Sequence, residues 1–314
     1  MKNITARTSS FRKIIETNSL YIDKTKEIYA LLAAAQAKDA YYFLARPRRF
    51  GKTLLISTLK ELFAGKRELF KGLWIDSSDY NWEEHPVITF DFSTIENITS
   101  KEFKEDLALE IEEKATELGV TLPTKGSVVR KIKTLVKELA KTNTVVILID
   151  EYDYPIINNI NSEKVMQTNL KILRSFFAAL KGLDDYLHAI FITGVSQIPK
   201  ASLFSGLNNL ENISLDPIAS TILGYTKEEI VLYFSDYIQA LANIKSQPLN
   251  KIEESIKVWY NGYQFSKKDV KVYNPFSLHY LFNKNEFDNC RVESSYRFLR
   301  MRPPHRTQRA KLPH

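Results

Sequence analysis

The segment Arg46-Pro47-Arg48-Arg49-Phe50-Gly51-Lys52-Thr53-Leu54 gathers residue types that can grip a polyphosphate. A loop between a buried strand and a helix presents free backbone N–H groups at the positive end of the helix dipole, which is a ready anion site. Gly51 lets the main chain approach a phosphate closely. The Lys52 ammonium can reach β- and γ-phosphates, and the Thr53 hydroxyl is placed to ligate a magnesium ion. The usual pattern begins with glycine where this chain has Arg46, so the match is incomplete, and Gly-Lys-Thr alone recurs by chance. The second half of the constellation is Asp150-Glu151, which follows five apolar residues. Two adjacent acids at the carboxyl end of a buried strand sit where ligands bind in open parallel sheets. Asp150 is expected to hold magnesium directly or through water, and Glu151 to polarise a water for attack on the γ-phosphate. Thr193 ends another apolar run and can hydrogen-bond the γ-phosphate or the attacking water; a turn hydroxyl serving only the backbone is an equal alternative. Arg46, Arg48 and Arg49 are candidates for charge neutralisation and any of them, or Arg174 on the helix after Glu151, for an arginine finger; a surface or ion-pair arginine is the leading alternative for each alone.

Such groups need a scaffold that brings residues 46–54 and 150–151 together. Residues 41–45 (YYFLA), 87–92 (VITFDF), 144–150 (TVVILID) and 189–193 (AIFIT) read as buried strands, rich in β-branched and aromatic residues. Leu55, Leu59 and Leu62 recur at helical spacing after the loop. Helices are expected over 101–118, with Thr99 or Ser100 as N-cap, over 126–141 and over 164–181. Strands alternating with helices predict a parallel sheet covered on both faces. Beyond residue 222 strand signals fade. Thr226-Lys-Glu-Glu229 is a capping box opening a helix through about Leu241, and another helix runs from Asn250 to about Tyr260.

Hydrophobic content of 44% and charged content of 26% exclude a disordered or fibrous polymer. The longest apolar run, Ile28 to Ala35, falls far short of the roughly 20 residues a membrane span needs. A single cysteine, Cys290, cannot form an internal disulfide. A cytoplasmic protein without a membrane partner is expected. The net charge of +7 is concentrated at the end: from Arg291 onward seven basic residues face one acid, Glu293. Residues 290–314 therefore read as a disordered or frame-shifted tail rather than a nucleic-acid arm, with DNA binding by that tail the weaker idea.

In the order of its motifs the chain resembles the AAA-ATPase-like family of bacterial and archaeal P-loop proteins. The resemblance rests on Tyr21-Ile-Asp-Lys-Thr25, Arg46 to Thr53, Leu148-Ile-Asp-Glu-Tyr-Asp153 and Thr193-Gly-Val-Ser196. It continues through Leu203 to Leu210, Gly224 to Glu229, Trp259-Tyr-Asn-Gly-Tyr263 and Tyr273-Asn-Pro-Phe276. The arginine at position 46 looks like the family's own form of the loop. The resemblance implies an α/β fold: a P-loop NTPase three-layer sandwich of the additional-strand, catalytic-glutamate type over residues 1–221, followed by a helical lid over 222–289. It implies ATP and magnesium as ligands, with Lys52, Thr53, Asp150 and Glu151 inheriting phosphate, metal, metal and water-activating roles. Many relatives carry a C-terminal nuclease domain, which this chain is not expected to contain. Two functions remain in view, a slow magnesium-dependent ATPase and a nucleotide-gated module that engages a protein partner or a second copy with negligible hydrolysis.

Overall fold

Strand β1 (Ala40–Ala45) is buried at every position, as a strand covered on both faces must be. The computed structural model describes residues 1–4, 8–34, 40–198, 203–204, 207 and 209–288. Beside β1 run β2 (Val87–Asp91), β3 (Val145–Asp150), β4 (Leu187–Gly194) and a two-residue strand β5 (Glu211–Asn212). All pairings are parallel and the order is β2-β3-β4-β1-β5. The parallel sheet is therefore as expected, with β5 added at one edge. Strand β4 lies between the strand that delivers the loop and the strand that delivers the acids. That is the additional strand the resemblance implied.

Alternation along the strands splits the core in two. Tyr41, Phe43, Ile147, Ile149, Ile190 and Ile192 face one layer. There they meet α4 (Ser100–Glu117), α5 (Val128–Leu139) and α7 (Glu163–Leu180). Tyr42, Leu44, Val146, Leu148 and Phe191 face the other, with α1 (Phe11–Glu16), α2 (Thr25–Ala34) and α3 (Lys52–Phe63). Thr99 is the N-cap of α4, closing a capping box with Glu102. A single turn, α6 (Tyr154–Ile157), follows the acids.

A third cluster builds the C-terminal layer from α8 (Lys227–Lys245), α9 (Leu249–Tyr260) and α10 (Pro275–Lys284). The Thr226–Glu229 capping box opens α8. The fading of strand signals beyond residue 222 is not complete: β6 (Tyr263–Gln264) and β7 (Lys271–Val272) form an antiparallel hairpin. Its short strands leave too few alternating residues to register as a sequence pattern. The basic tail, Cys290 included, lies outside the described residues.

The candidate nucleotide site

Gly51 is the N-cap of α3 at φ 94 and offers no side chain. The first N–H groups of α3 therefore have no side-chain cap, as an anion site requires. Arg49 is also left-handed, at φ 67, so the loop turns back on itself just before the helix starts. Lys52 is buried; its Nζ lies 3.3 Å from the Arg46 carbonyl and 3.4 Å from that of Pro47. Its third neighbour is the Glu151 carboxylate, at 3.2 Å. Thr53, one residue into the helix, is exposed.

Three strand ends meet here. The Arg46 N–H donates to Gly194 O at 3.0 Å, and the Tyr152 N–H donates to Thr193 O at 3.1 Å. The Thr193 hydroxyl donates to Asp150 Oδ1, which also accepts the Glu151 N–H at 3.0 Å. Asp150 Oδ2 is buried and has no hydrogen-bond partner. A buried carboxylate oxygen without a donor is costly, and a hard cation would satisfy it. The Asp150 and Thr53 oxygens are the donor types magnesium takes, so the residues fit that ion.

Glu151 follows the strand in a left-handed conformation, φ 49, uncommon for a residue with a Cβ. Burial pushes its carboxyl above the usual carboxylate range; Lys52 pulls it back, and the Asp150 and Asp153 charges add to the rise.

Other expected residues stand elsewhere. The Arg46 side chain is held by main-chain carbonyls. It is fully buried, donating to Ala45 O at 2.9 Å, Ser214 O at 2.7 Å and Ala219 O at 2.7 Å. The β1 end and the turn after β5 supply the carbonyls that capture the guanidinium fork, while the Arg46 main chain stays in the loop, its carbonyl 3.3 Å from Lys52 Nζ. Arg48 and Arg49 are exposed, with Arg49 stacked 4.2 Å over the Phe276 ring. Arg174 is exposed on α7. Pro47 is half-buried and Phe50 is buried against Phe265 and Val272 of the hairpin region. Leu54 packs at the margin of the second core layer.

Sequence reasoning assigns no role to Tyr152 and Asp153, which hold the end of β4. Asp153 accepts from Ser196 N at 2.6 Å, Ser196 Oγ at 2.5 Å and Val195 N at 3.2 Å. Tyr152 donates to Ser196 O at 2.9 Å and accepts from Ile198 N at 3.1 Å. Nor does it assign one to Tyr21-Ile-Asp-Lys-Thr25. Asp23 accepts from the backbone of Thr25 at 2.8 Å and of Trp74 at 2.7 Å. Lys24 donates to Thr221 O at 2.8 Å and to both Glu229 oxygens at 2.6 and 2.7 Å. The signal for both is the charged residue inside each aromatic motif. A separate cavity of about 570 Å³, lined by Pro86, Leu118, Leu139 and Thr142, lies at the opposite, amino-terminal side of β2 and β3.

A parallel sheet with a glycine-lysine-threonine loop after one strand and paired acids after another defines a nucleotide-binding, ATPase-like protein. The chain belongs to the family described as "Predicted AAA-ATPase", which matches residues 6–204. It is 36% identical over 284 residues to an Azotobacter chroococcum mcd 1 protein described as "Uncharacterized protein in vnfD 5'region". That match covers 88% of this chain and 51% of the relative, so the chain spans about half the length of the curated relative it matches. Among solved structures it is similar to Drosophila ORC bound to poly(dA/dT) DNA and Cdc6, with TM-score 0.32, 11% identity and coverage of 65% of this chain and 28% of that one. The complex with AT-rich DNA and Cdc6 gives TM-score 0.34 and 11% identity over 75% and 42% of the two chains. Among the described residues no helix is long and apolar enough to cross a membrane.

Proposed function

We propose that the chain binds ATP with magnesium at residues 46–54 and hydrolyses it slowly. The observation that carries this reading is the meeting of Lys52 and Glu151 at 3.2 Å beside the orphaned Asp150 Oδ2. In this reading the Lys52 ammonium exchanges its carboxylate partner for the β- and γ-phosphates. The N–H groups opening α3 hold the same phosphates. Asp150 and Thr53 hold magnesium, which when bound neutralises charge on the phosphate oxygens. Thr193 keeps the Asp150 carboxylate oriented. Glu151, released from Lys52, accepts a proton from the attacking water while its raised pKa keeps it a competent base. The C-terminal layer serves as the lid. Phosphate release by purified wild type, Lys52→Ala and Glu151→Gln tests this: the wild type turns over, Lys52→Ala fails to bind, and Glu151→Gln binds without turnover.

The Lys52–Glu151 contact also favours a second reading. A glutamate held by the loop lysine is not available to water, so ATP can act as a switch for a protein partner or a second copy with little hydrolysis. Tight binding without phosphate release, with a nucleotide-dependent change in oligomeric state, would select it.

A further inference from the structure

Arg46 stands where loops of this kind usually carry glycine, and it is among the most buried large side chains of the protein. Its Nη1 and Nη2 reach Ser214 O and Ala219 O, both at 2.7 Å, on the turn between β5 and the C-terminal layer. Its Cζ lies 4.0 Å from the centroid of the Phe265 ring, in the loop of the β6–β7 hairpin. Phe265 also meets the loop's Phe50 edge-to-face, with centroids 5.4 Å apart. The main chain of Arg46 looks the other way. Its carbonyl accepts from Lys52 Nζ at 3.3 Å, and its N–H holds the end of β4. One residue thus touches the loop lysine through its backbone and the C-terminal layer through its side chain.

The charge balance at Arg46 is unusual. No carboxylate is paired with it among the described residues, its Nε is buried without a partner, and burial pulls the guanidinium down to about 9, so it is cationic at neutral pH. A buried cation held only by carbonyl dipoles and one ring face is poorly compensated.

We propose that Arg46 is a positioning residue that couples occupancy of the loop to the β6–β7 hairpin and the 214–219 turn. The coupling to occupancy rests on the reading of residues 46–54 as a triphosphate site; the mechanical tie does not. When Lys52 turns from the Arg46 carbonyl to a phosphate, that carbonyl loses its donor, and the readjustment of residue 46 passes through the guanidinium to Ser214, Ala219 and Phe265.

Amide hydrogen exchange on the full chain, with and without ATP and magnesium, tests both parts. In nucleotide-free protein, Arg46→Lys keeps the charge and loses the fork, and Phe265→Leu loses the ring face. Each is expected to speed exchange in 263–272 by about tenfold while strand 145–150 keeps its wild-type rate, which separates a lost tie from general unfolding. With nucleotide, the hairpin of the wild type slows. Phe265→Leu binds the nucleotide and shows no slowing. Wild-type hairpin exchange in both variants, or equal slowing in wild type and Phe265→Leu, overturns the proposal. Should the wild type bind no ATP, the reading of the site fails by itself, and the nucleotide-free comparison still decides whether Arg46 ties the hairpin. Should Arg46→Lys fail to fold, exchange at 214–219 in Phe265→Leu decides, because Phe265 belongs to the hairpin core and, among the described residues, that turn reaches it only through Arg46: faster exchange there supports the tie, and the wild-type rate overturns it.

Discussion

The Lys52 ammonium and the Glu151 carboxylate, delivered by different strands, neutralise each other at 3.2 Å inside a largely buried site. In the proposed reading a triphosphate competes with that carboxylate for the same cation. Glu151→Gln removes the competitor, so binding of ATP should tighten by about threefold to tenfold while phosphate release falls by about a hundredfold or more. Fluorescent-nucleotide titration and a phosphate-release assay read the two effects separately. Unchanged turnover would remove Glu151 from the water-activating role.

The acid limb of the turnover profile should follow from the same contact. Burial raises the Glu151 pKa and Lys52 opposes the rise. A base must be deprotonated, so turnover declines as pH falls through that raised pKa, at a higher pH than an ordinary carboxylate would give. A pH–rate profile whose acid limb lies in the unperturbed carboxylate range would contradict this.

Lys24 and Glu229 join the N-terminal segment to the first turn of α8, with side chains 9% and 14% exposed. Breaking a buried pair strands the surviving charge. Lys24→Ala should therefore destabilise by about 3 kcal/mol, and the double variant with Glu229→Ala by less than the sum of the two. Denaturant unfolding of the four proteins measures the coupling.

A third contact predicts acid sensitivity of the C-terminal layer. His279 Nε2 lies 3.0 Å from the Tyr225 hydroxyl, and burial lowers its pKa from 6.5 to about 4. The unfolded chain therefore binds a proton between those values that the folded chain refuses. Stability is complete above about pH 6.5 and is lost as pH falls toward 4, by about 2 kcal/mol at pH 5. His279→Gln should flatten that part of the stability–pH curve, measured by denaturant unfolding at pH 7.5 and pH 5.

How legible the molecule is in its sequence follows from range in the chain. Val145–Asp150 announces itself because a strand buried on both faces needs an unbroken apolar run. The capping boxes of α4 and α8 are legible because all their partners lie within three residues. Asp150 and Glu151 stand out because two acids are unusual at the end of a buried strand, and Lys52 and Thr53 because they follow a glycine where a helix opens. The capture of the Arg46 guanidinium is not legible, because its partners Ser214, Ala219 and Phe265 lie far along the chain. The pairing of Lys24 with Glu229 is not legible: the sequence marks Glu229 as a helix cap and Lys24 as a charge inside an aromatic motif, but their meeting depends on how the C-terminal layer docks. Gly194 carries no local signal either; a Cβ there would overlap the Tyr152 ring.

Binding of fluorescent ATP with magnesium and with EDTA, in wild type, Lys52→Ala and Asp150→Asn, tests the shared grip most directly. The expected result is tight wild-type binding that weakens when magnesium is chelated, binding lost in Lys52→Ala, and residual binding in Asp150→Asn that no longer responds to magnesium. Wild-type affinity in Lys52→Ala, or a wild type indifferent to magnesium, would contradict it.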